Sequence, residues 1–418
     1  MADSATQPAA QLASDATYFR KGFGLKDEVE GELAAAYDGR LVDLLKERDY
    51  ALTAGDVTVR LAREFGFCYG VERAVDYAYQ TRRKFPDRQI FLAGEIIHNP
   101  HINQRLRDLG VIFLEHHAAS NERSFDFSGV RPQDVVILPA FGVTVADFET
   151  LRGIGCVMVD TTCGSVLNVW KRVERYAREG FTALIHGKYY HEETRATASQ
   201  VLKYPGGQYL VVRDMSEARI VCDFIEGTRT ADEIRERFAH AASAGFDPER
   251  DLRRVGVANQ TTMLARESLA IGAEVGAAMT RAHGEAYTAE NFRTFDTICS
   301  ATQDRQDAVQ ELLEEPLDAM VVIGGYNSSN TISLAALSAE RVPTYHIEDA
   351  GCIDVESRTI HHRVKMGKED VATPDWLGRD GAVRVGVTAG ASTPNNKIAD
   401  AVARIFATRG IDPASVGA

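Results

Sequence analysis

The feature that most constrains this chain is a succession of short β-type runs, most of them apolar throughout. They are QIFLAG (89–94), VVILPAF (135–141), CVMVD (156–160), TALIHG (182–187), YLVVRD (209–214), VGVANQ (255–260), AMVVIGG (319–325), TYHIED (344–349) and VRVGVTAG (383–390). A strand with one wet face alternates apolar and polar residues, whereas a strand covered on both faces does not. The runs therefore predict parallel strands lying between layers of helices. Amphipathic patterns fall between them, and that alternation predicts an α/β architecture. A first strand is expected at Val57–Leu61. Residues 26–48 read as two helices separated by Gly39, with Val29, Leu33, Ala36, Leu41, Leu44 and Leu45 forming apolar stripes. Residues 1–16 have no apolar period and are expected to be a disordered tail. Two segments break the alternation: 224–254, a polar helix and charged loop, and 355–377, polar and without a clear period. Both read as surface insertions, and His361 and His362 in the second as solvated.

A length of 418 residues suits two or three domains at about 150 residues each. The expected division is an N-terminal extension (1–55), a first α/β domain (56–160), a second (161–293) carrying the charged insertion, and a third (294–418) carrying the polar insertion and a C-terminal helix. The chain has 47 Lys and Arg against 60 Asp and Glu, a net charge of −13. That acidity argues against nucleic acid or an anionic membrane as partner. No apolar run approaches the roughly 18–20 residues of a membrane span. The N-terminus lacks a basic region followed by an apolar stretch, so it does not read as a secretory signal. Six cysteines without close pairs do not form a disulfide framework, and a reducing cytoplasm is the expected compartment.

One internal pattern recurs three times. Cys68, Cys163 and Cys299 each follow a β-type run and a short turn, and each precedes an amphipathic helix. The helices carry Val71/Ala74/Val75/Ala78, Val166/Val169/Trp170/Val173 and Ala308/Val309/Leu312/Leu313 at three-to-four spacing. A cysteine just before a helix meets unpaired backbone N–H groups and the positive end of the dipole. That environment favours thiolate, the metal-binding form. Three thiolates suit an iron–sulfur centre, or zinc with one further ligand. Any one of these cysteines alone would read as a small buried residue; the recurrence favours ligands. Cys156, Cys222 and Cys352 lack the turn and read as buried.

Other strand ends suit anions. In VVIGGYNSSNTISLAAL, Gly324 and Gly325 permit an unusual backbone, and Ser328, Ser329 and Asn330 open a helix whose free N–H groups can seat a phosphate or carboxylate. VGVTAGASTP repeats the arrangement with Thr388, Gly390 and Ser392. Simple capping is the commoner use of such residues, but ligands gather at this edge of α/β sheets. Two further turns bear histidine: GEIIHNPHIN with His98 and His101, and IHGKYYHEETRAT with His186, His191, Glu192 and Glu193. An N–H-donating imidazole suits a diphosphate, and Glu193, two positions after His191, offers a proton for catalysis.

The motifs GFCYGVERA, EIIHN, DTTC, HGKYYHEET, NQTTM, ICSATQDRQ, GGYNSSNT and TAGAS run in this order through most of the chain. Together they resemble the LytB/IspH family, the hydroxymethylbutenyl diphosphate reductases of the non-mevalonate isoprenoid pathway, in its longer plant and cyanobacterial branch. The resemblance implies three α/β domains in a pseudo-threefold trefoil around a central [4Fe-4S] cluster. It implies Cys68, Cys163 and Cys299 as the ligands, with one iron not bound by a protein thiolate and taking the substrate hydroxyl. His98, His191, Ser328, Ser329, Asn330 and Ser392 would hold the diphosphate, and Glu193 would deliver a proton aided by Thr261. Two electrons and two protons would remove the hydroxyl as water, giving isopentenyl and dimethylallyl diphosphate. A ferredoxin or flavodoxin is the implied donor; such donors are usually acidic, which predicts a local basic patch near the cluster. Phe141 stands in PAFGVT where many bacterial members have His, and it cannot hydrogen-bond a phosphate. Glu192 stands where many have Pro. The competing readings are a hydro-lyase of aconitase type, a structural zinc protein and a phosphometabolite sensor.

Overall fold

The computed structural model of the chain describes residues 17–116, 124–364 and 369–416; the segment expected as a disordered tail lies outside them. In chain order the strands are β1 (Tyr18–Phe19), β2 (Ala51–Ala54), β3 (Val57–Leu61), β4 (Ile90–Ala93), β5 (Val111–Leu114), β6 (Val135–Leu138), β7 (Val157–Asp160), β8 (Thr182–His186), β9 (Tyr209–Val212), β10 (Val255–Asn259), β11 (Phe292–Thr294), β12 (Ala319–Ile323), β13 (Thr344–Ile347), β14 (Ile353–Asp354), β15 (Thr359–Val364), β16 (Glu369–Pro374) and β17 (Val383–Ala389). Each of the runs named above is a strand. They form three sheets, ordered β1-β7-β6-β4-β5, β11-β10-β8-β9 and β14-β15-β13-β12-β17-β3-β2, with β16 paired to β15.

The chain divides into two compact units, one comprising Met1–Phe23, Thr81–Ile96 and Leu106–Cys299, the other Gly24–Gln80, Ile97–Arg105 and Ser300–Ala418. The first unit holds the first two sheets, and both are parallel throughout. β6 and β8 are buried at every residue, as the apolar Val135–Leu138 and the apolar centre of β8 (Ala183, Leu184, Ile185) require. Burying one such Val, Leu or Ile side chain contributes about 1.5–3 kcal/mol. One core gathers Val169, Val173 and Tyr176 of helix Gly164–Arg178 with Leu184, Leu210 and Val257 of the second sheet. The expected charged insertion contains helix Ala231–Phe238, closed by a reciprocal Thr230–Glu233 cap, and Ile234 and Phe238 anchor it to that core.

The second unit is built on a parallel centre, β13-β12-β17-β3, flanked by antiparallel β2 and β15. Val57–Leu61, expected to open the first α/β domain, pairs instead with Val383–Ala389 of the C-terminal segment. Helices Lys26–Tyr37 and Arg40–Glu47 occupy the stretch read as two helices around Gly39. Gly39 is required there, since a Cβ would lie 2.6 Å from the Asn395 carbonyl oxygen.

The polar segment 355–377 is not an irregular insertion. β15 and β16 form an antiparallel ribbon that extends the sheet edge. Along β15, Ile360 and His362 are buried while His361 is exposed. The strand period was hidden because one inward position is a histidine. His362 is therefore not solvated: its Nε2 lies 2.9 Å from Thr373 Oγ1, and burial lowers its pKa.

Candidate active site

Each recurring cysteine immediately precedes a helix: Cys68 before Tyr69–Lys84, Cys163 before Gly164–Arg178 and Cys299 before Ser300–Leu312. The repetition extends to the backbone. The Cys68 N–H donates to Ala391 O at 3.2 Å, the Cys163 N–H to Ala140 O at 2.9 Å and the Cys299 N–H to Thr261 O at 3.2 Å. Those acceptors follow β17, β6 and β10, the parallel neighbours of β3, β7 and β11, whose ends lead to the three cysteines. One device is thus built three times: a strand, a turn pinned to the next strand's turn, then cysteine and helix. All three thiols are half-buried. Cys156 and Cys222 are different. Burial pushes the Cys156 thiol up to about 11 and the Cys222 thiol up to about 12, so both stay protonated and apolar in behaviour. Cys352, half-buried, lies 3.5 Å from the Tyr326 hydroxyl.

Within the first unit a hydrogen-bonded path joins the acid–base candidates. His191 caps helix Glu192–Val201, its Nδ1 accepting the Glu193 N–H at 3.1 Å. With Nδ1 an acceptor, the ring proton sits on Nε2, the tautomer that donates to an anion. Glu193 is only 1% exposed, and its Oε1 accepts the Thr261 N–H at 2.6 Å. Thr261 O in turn receives the Cys299 N–H, so a single residue separates the Glu193 carboxylate from a cysteine. Phe141 packs edge-on against the His191 ring, centroids 5.5 Å apart. A ring without hydrogen-bonding groups thus walls one side of the imidazole. Residue 140 of the same turn holds Cys163.

Within the second unit the anion-seat candidates also come together. Ser328 caps helix Ser329–Ala339. Ser328, Ser329, Asn330 and Ser392 are all buried. Asn330 Oδ1 accepts the Ala391 N–H at 2.9 Å, and Ala391 O holds Cys68. Ser392 Oγ donates to His98 O at 3.3 Å, and Asn99 Nδ2 donates to Ser392 O at 2.7 Å. A Cβ on Gly325 would lie 2.6 Å from His98 O. His98, the GGYNSSN turn and the TAGAS turn are therefore mutually fixed. His101 Nε2 and Asp349 Oδ2, 2.7 Å apart, tie down the following helix.

Several contributors were missed in the sequence. Gln260 Oε1 accepts from Lys188 N and Thr194 Oγ1 while its Nε2 donates to Thr262 Oγ1, joining the HGKYYHEET and NQTTM turns. Asp160 shapes the Cys163 turn by accepting the Thr162 N–H at 2.9 Å. It is engaged by Tyr18 at 2.5 Å and Arg20 at 3.4 Å from the N-terminal extension. Buried Asn and Gln side chains leave no periodic mark, so only the positions beside His98 and Thr261 could have flagged them. A polar pocket of about 310 Å³ beside the Cys68 turn is lined by Lys46 and Arg63 but also Asp38, Glu64 and Glu72. Its charge is mixed.

Sheets with parallel centres that carry thiols, histidines and Gly/Ser turns at their strand ends define an α/β protein whose polar side chains gather at the strand ends. The chain belongs to the LytB family, whose model, described as LytB protein, matches residues 59–406. It is 50% identical over 397 residues to the 4-hydroxy-3-methylbut-2-enyl diphosphate reductase of Gloeobacter violaceus, covering 94% of this chain and 93% of that one. It is 47% identical over 399 residues to the protein of the same name from Trichormus variabilis, covering 95% and 96%. The solved E-1-hydroxy-2-methyl-but-2-enyl-4-diphosphate reductase of Plasmodium falciparum shares the fold, with TM-score 0.60, 20% identity and coverage of 83% of this chain and 87% of that one. Among the described residues no helix is long and apolar enough to cross a membrane.

Proposed function

We propose that this chain reduces (E)-4-hydroxy-3-methylbut-2-enyl diphosphate to isopentenyl and dimethylallyl diphosphate. The observation that carries the chemistry is the path from His191 through Glu193 and Thr261 to Cys299. It links the His191 ring, the buried Glu193 carboxyl group and a helix-opening thiol through backbone hydrogen bonds. Cys68, Cys163 and Cys299 would hold a [4Fe-4S] cluster. Their fit rests on the donor chemistry: three half-buried thiols at helix starts, set apart from Cys156 and Cys222, which burial keeps protonated. Such a cluster with one iron free of protein thiolate supplies single electrons and a Lewis acid, which no side chain offers.

The chain's own residues do the rest. Nε2–H of His191, the Ser328, Ser329 and Ser392 hydroxyls and the N–H groups opening helix Ser329–Ala339 bind the diphosphate, with His98 beside them. Asn330 joins them through its Nδ2–H, its Oδ1 being held by the Ala391 N–H. Glu193 donates the proton that lets the hydroxyl leave as water, and the Thr261 main chain fixes the carboxyl oxygen. A ferredoxin or flavodoxin serves as electron donor, and three α/β domains in trefoil array surround the cluster. Anaerobic purification with iron and sulfide counts, followed by substrate turnover driven by a chemical reductant, tests the reading. Four irons and four sulfides per chain with reductant-dependent product are expected; colourless, zinc-bearing protein would end it.

A further inference from the structure

Arg305 is a buried cation, 4% exposed, in the helix that Cys299 opens. Its guanidinium donates to Gly66 O at 2.7 Å and 3.2 Å, Phe67 O at 3.0 Å, Phe65 O at 3.4 Å and Ala301 O at 2.8 Å. Among the described residues its hydrogen bonds therefore all end on backbone carbonyls, and three of those carbonyls form the turn directly before Cys68. The same turn is held from its other side by Gly66 N–H on Ala389 O and Cys68 N–H on Ala391 O. Gly66 has φ +66°, and a Cβ there would lie 3.1 Å from Thr393 O, so the turn has little room to shift. A guanidinium removed from water is costly when only dipoles face it. Its planar fork matches three converging carbonyls in a way that a lysine ammonium cannot. Simple turn-bracing does not need a permanent charge, since a neutral donor could reach one carbonyl. A [4Fe-4S]2+ core held by three thiolates, however, carries a net negative charge that grows by one on reduction, and charge is one of the levers on its reduction potential.

We propose that Arg305 is a positioning residue that braces the Cys68 turn and places a fixed positive charge beside the cluster, making the cluster easier to reduce. The proposal rests on the cluster reading above. It is tested on full-length wild-type, Arg305→Lys and Arg305→Gln proteins purified anaerobically. Iron and sulfide counts come first: a wild-type protein without a cluster would defeat the cluster reading itself. Redox titration of the loaded proteins, followed by electron paramagnetic resonance, then reads the charge. Arg305→Gln should be harder to reduce by about tenfold in the equilibrium, about 59 mV for one electron. Arg305→Lys should titrate like wild type yet lose iron to a chelator faster, because the fork is gone. A loaded Arg305→Gln protein with the wild-type potential would overturn the proposal. If Arg305→Gln fails to load while Arg305→Lys loads, the need for charge is upheld. If both fold but neither loads, the role is bracing alone and the charge assignment falls.

Discussion

Replacing Glu193 with Gln separates the two jobs that the structure gives this side chain. Its Oε1 accepts the Thr261 N–H at 2.6 Å in a site 1% exposed. The amide oxygen of Gln is still an acceptor in the same place, so Thr261 stays put and its carbonyl keeps the Cys299 N–H. A protonated carboxyl group and an amide are both neutral acceptors, so this bond keeps its strength of about 0.5–1.5 kcal/mol. Stability should therefore change by less than about 1 kcal/mol, and iron content should hold. The lost carboxyl proton should lower turnover by about 10²–10⁴-fold, or about 3–5 kcal/mol of barrier. Glu193→Ala is the control. It leaves the Thr261 N–H buried without its acceptor, at a cost of about 1–3 kcal/mol, and loosens the turn that holds Cys299. Anaerobic turnover, iron counts and thermal unfolding of the two variants give the comparison. Near-normal turnover in Glu193→Gln would refute the proton-donor role, and loss of iron from it would make Glu193 a brace for Cys299 instead.

Gly325→Ala puts a Cβ 2.6 Å from His98 O, so His98 and the GGYNSSN turn must part; steady-state assays should show KM raised about 10–100-fold, as expected for a sub-ångström to 1 Å misplacement, with iron content unchanged. Tyr18→Phe removes the hydroxyl that meets Asp160 at 2.5 Å; it should cost about 1.5–3 kcal/mol in thermal unfolding and speed iron release to a chelator. His186 and His346 are buried, and desolvation lowers each from 6.5 to about 4. Below pH 6.5 the unfolded chain takes up both protons and the folded chain does not until about pH 4, so stability is lost across that window, by about 3 kcal/mol per group. Denaturant midpoints measured from pH 7 to 4 should fall steeply in wild type and less steeply in His346→Gln; equal slopes would contradict the assignment.

The strands were legible because burial on both faces leaves an unbroken apolar run, and β6, β8, β10 and β12 are buried at every residue. The cysteine turns were legible because a residue before an amphipathic helix can be counted off the sequence. The carbonyls that pin those turns were not: Ala140, Thr261 and Ala391 are chosen by strand register, and register between distant segments leaves no local mark. Phe141 could be seen as unable to bind phosphate, but its packing on His191 depends on where β6 and β8 lead. The β15–β16 ribbon escaped notice because His362 fills an inward position that the pattern counts as polar. β1 escaped because two residues carry no period. Nothing local marks Arg305 either, and only the fold turns its side chain onto the carbonyls before Cys68.

Cys163 and Cys299 also mark where the chain passes from one sheet to the next. β7 belongs to the first sheet, but the helix that Cys163 opens buries Val169, Val173 and Tyr176 in the core of the second. β11 belongs to the second sheet, but the helix after Cys299 buries Ala308, Val309 and Leu312 against Met320 and Val322 of the third. The division into compact units falls between Cys299 and Ser300. A metal held by these cysteines would be held through their pinned turns, so its removal should loosen those turns before it loosens any sheet. Hydrogen exchange of apo and loaded protein can separate these. Faster exchange in apo protein at the amides of 66–70, 161–166 and 297–302, with β6, β8 and β12 unchanged, is the expected pattern. Uniform acceleration through the strands would show instead that the sheets depend on the metal for their own stability.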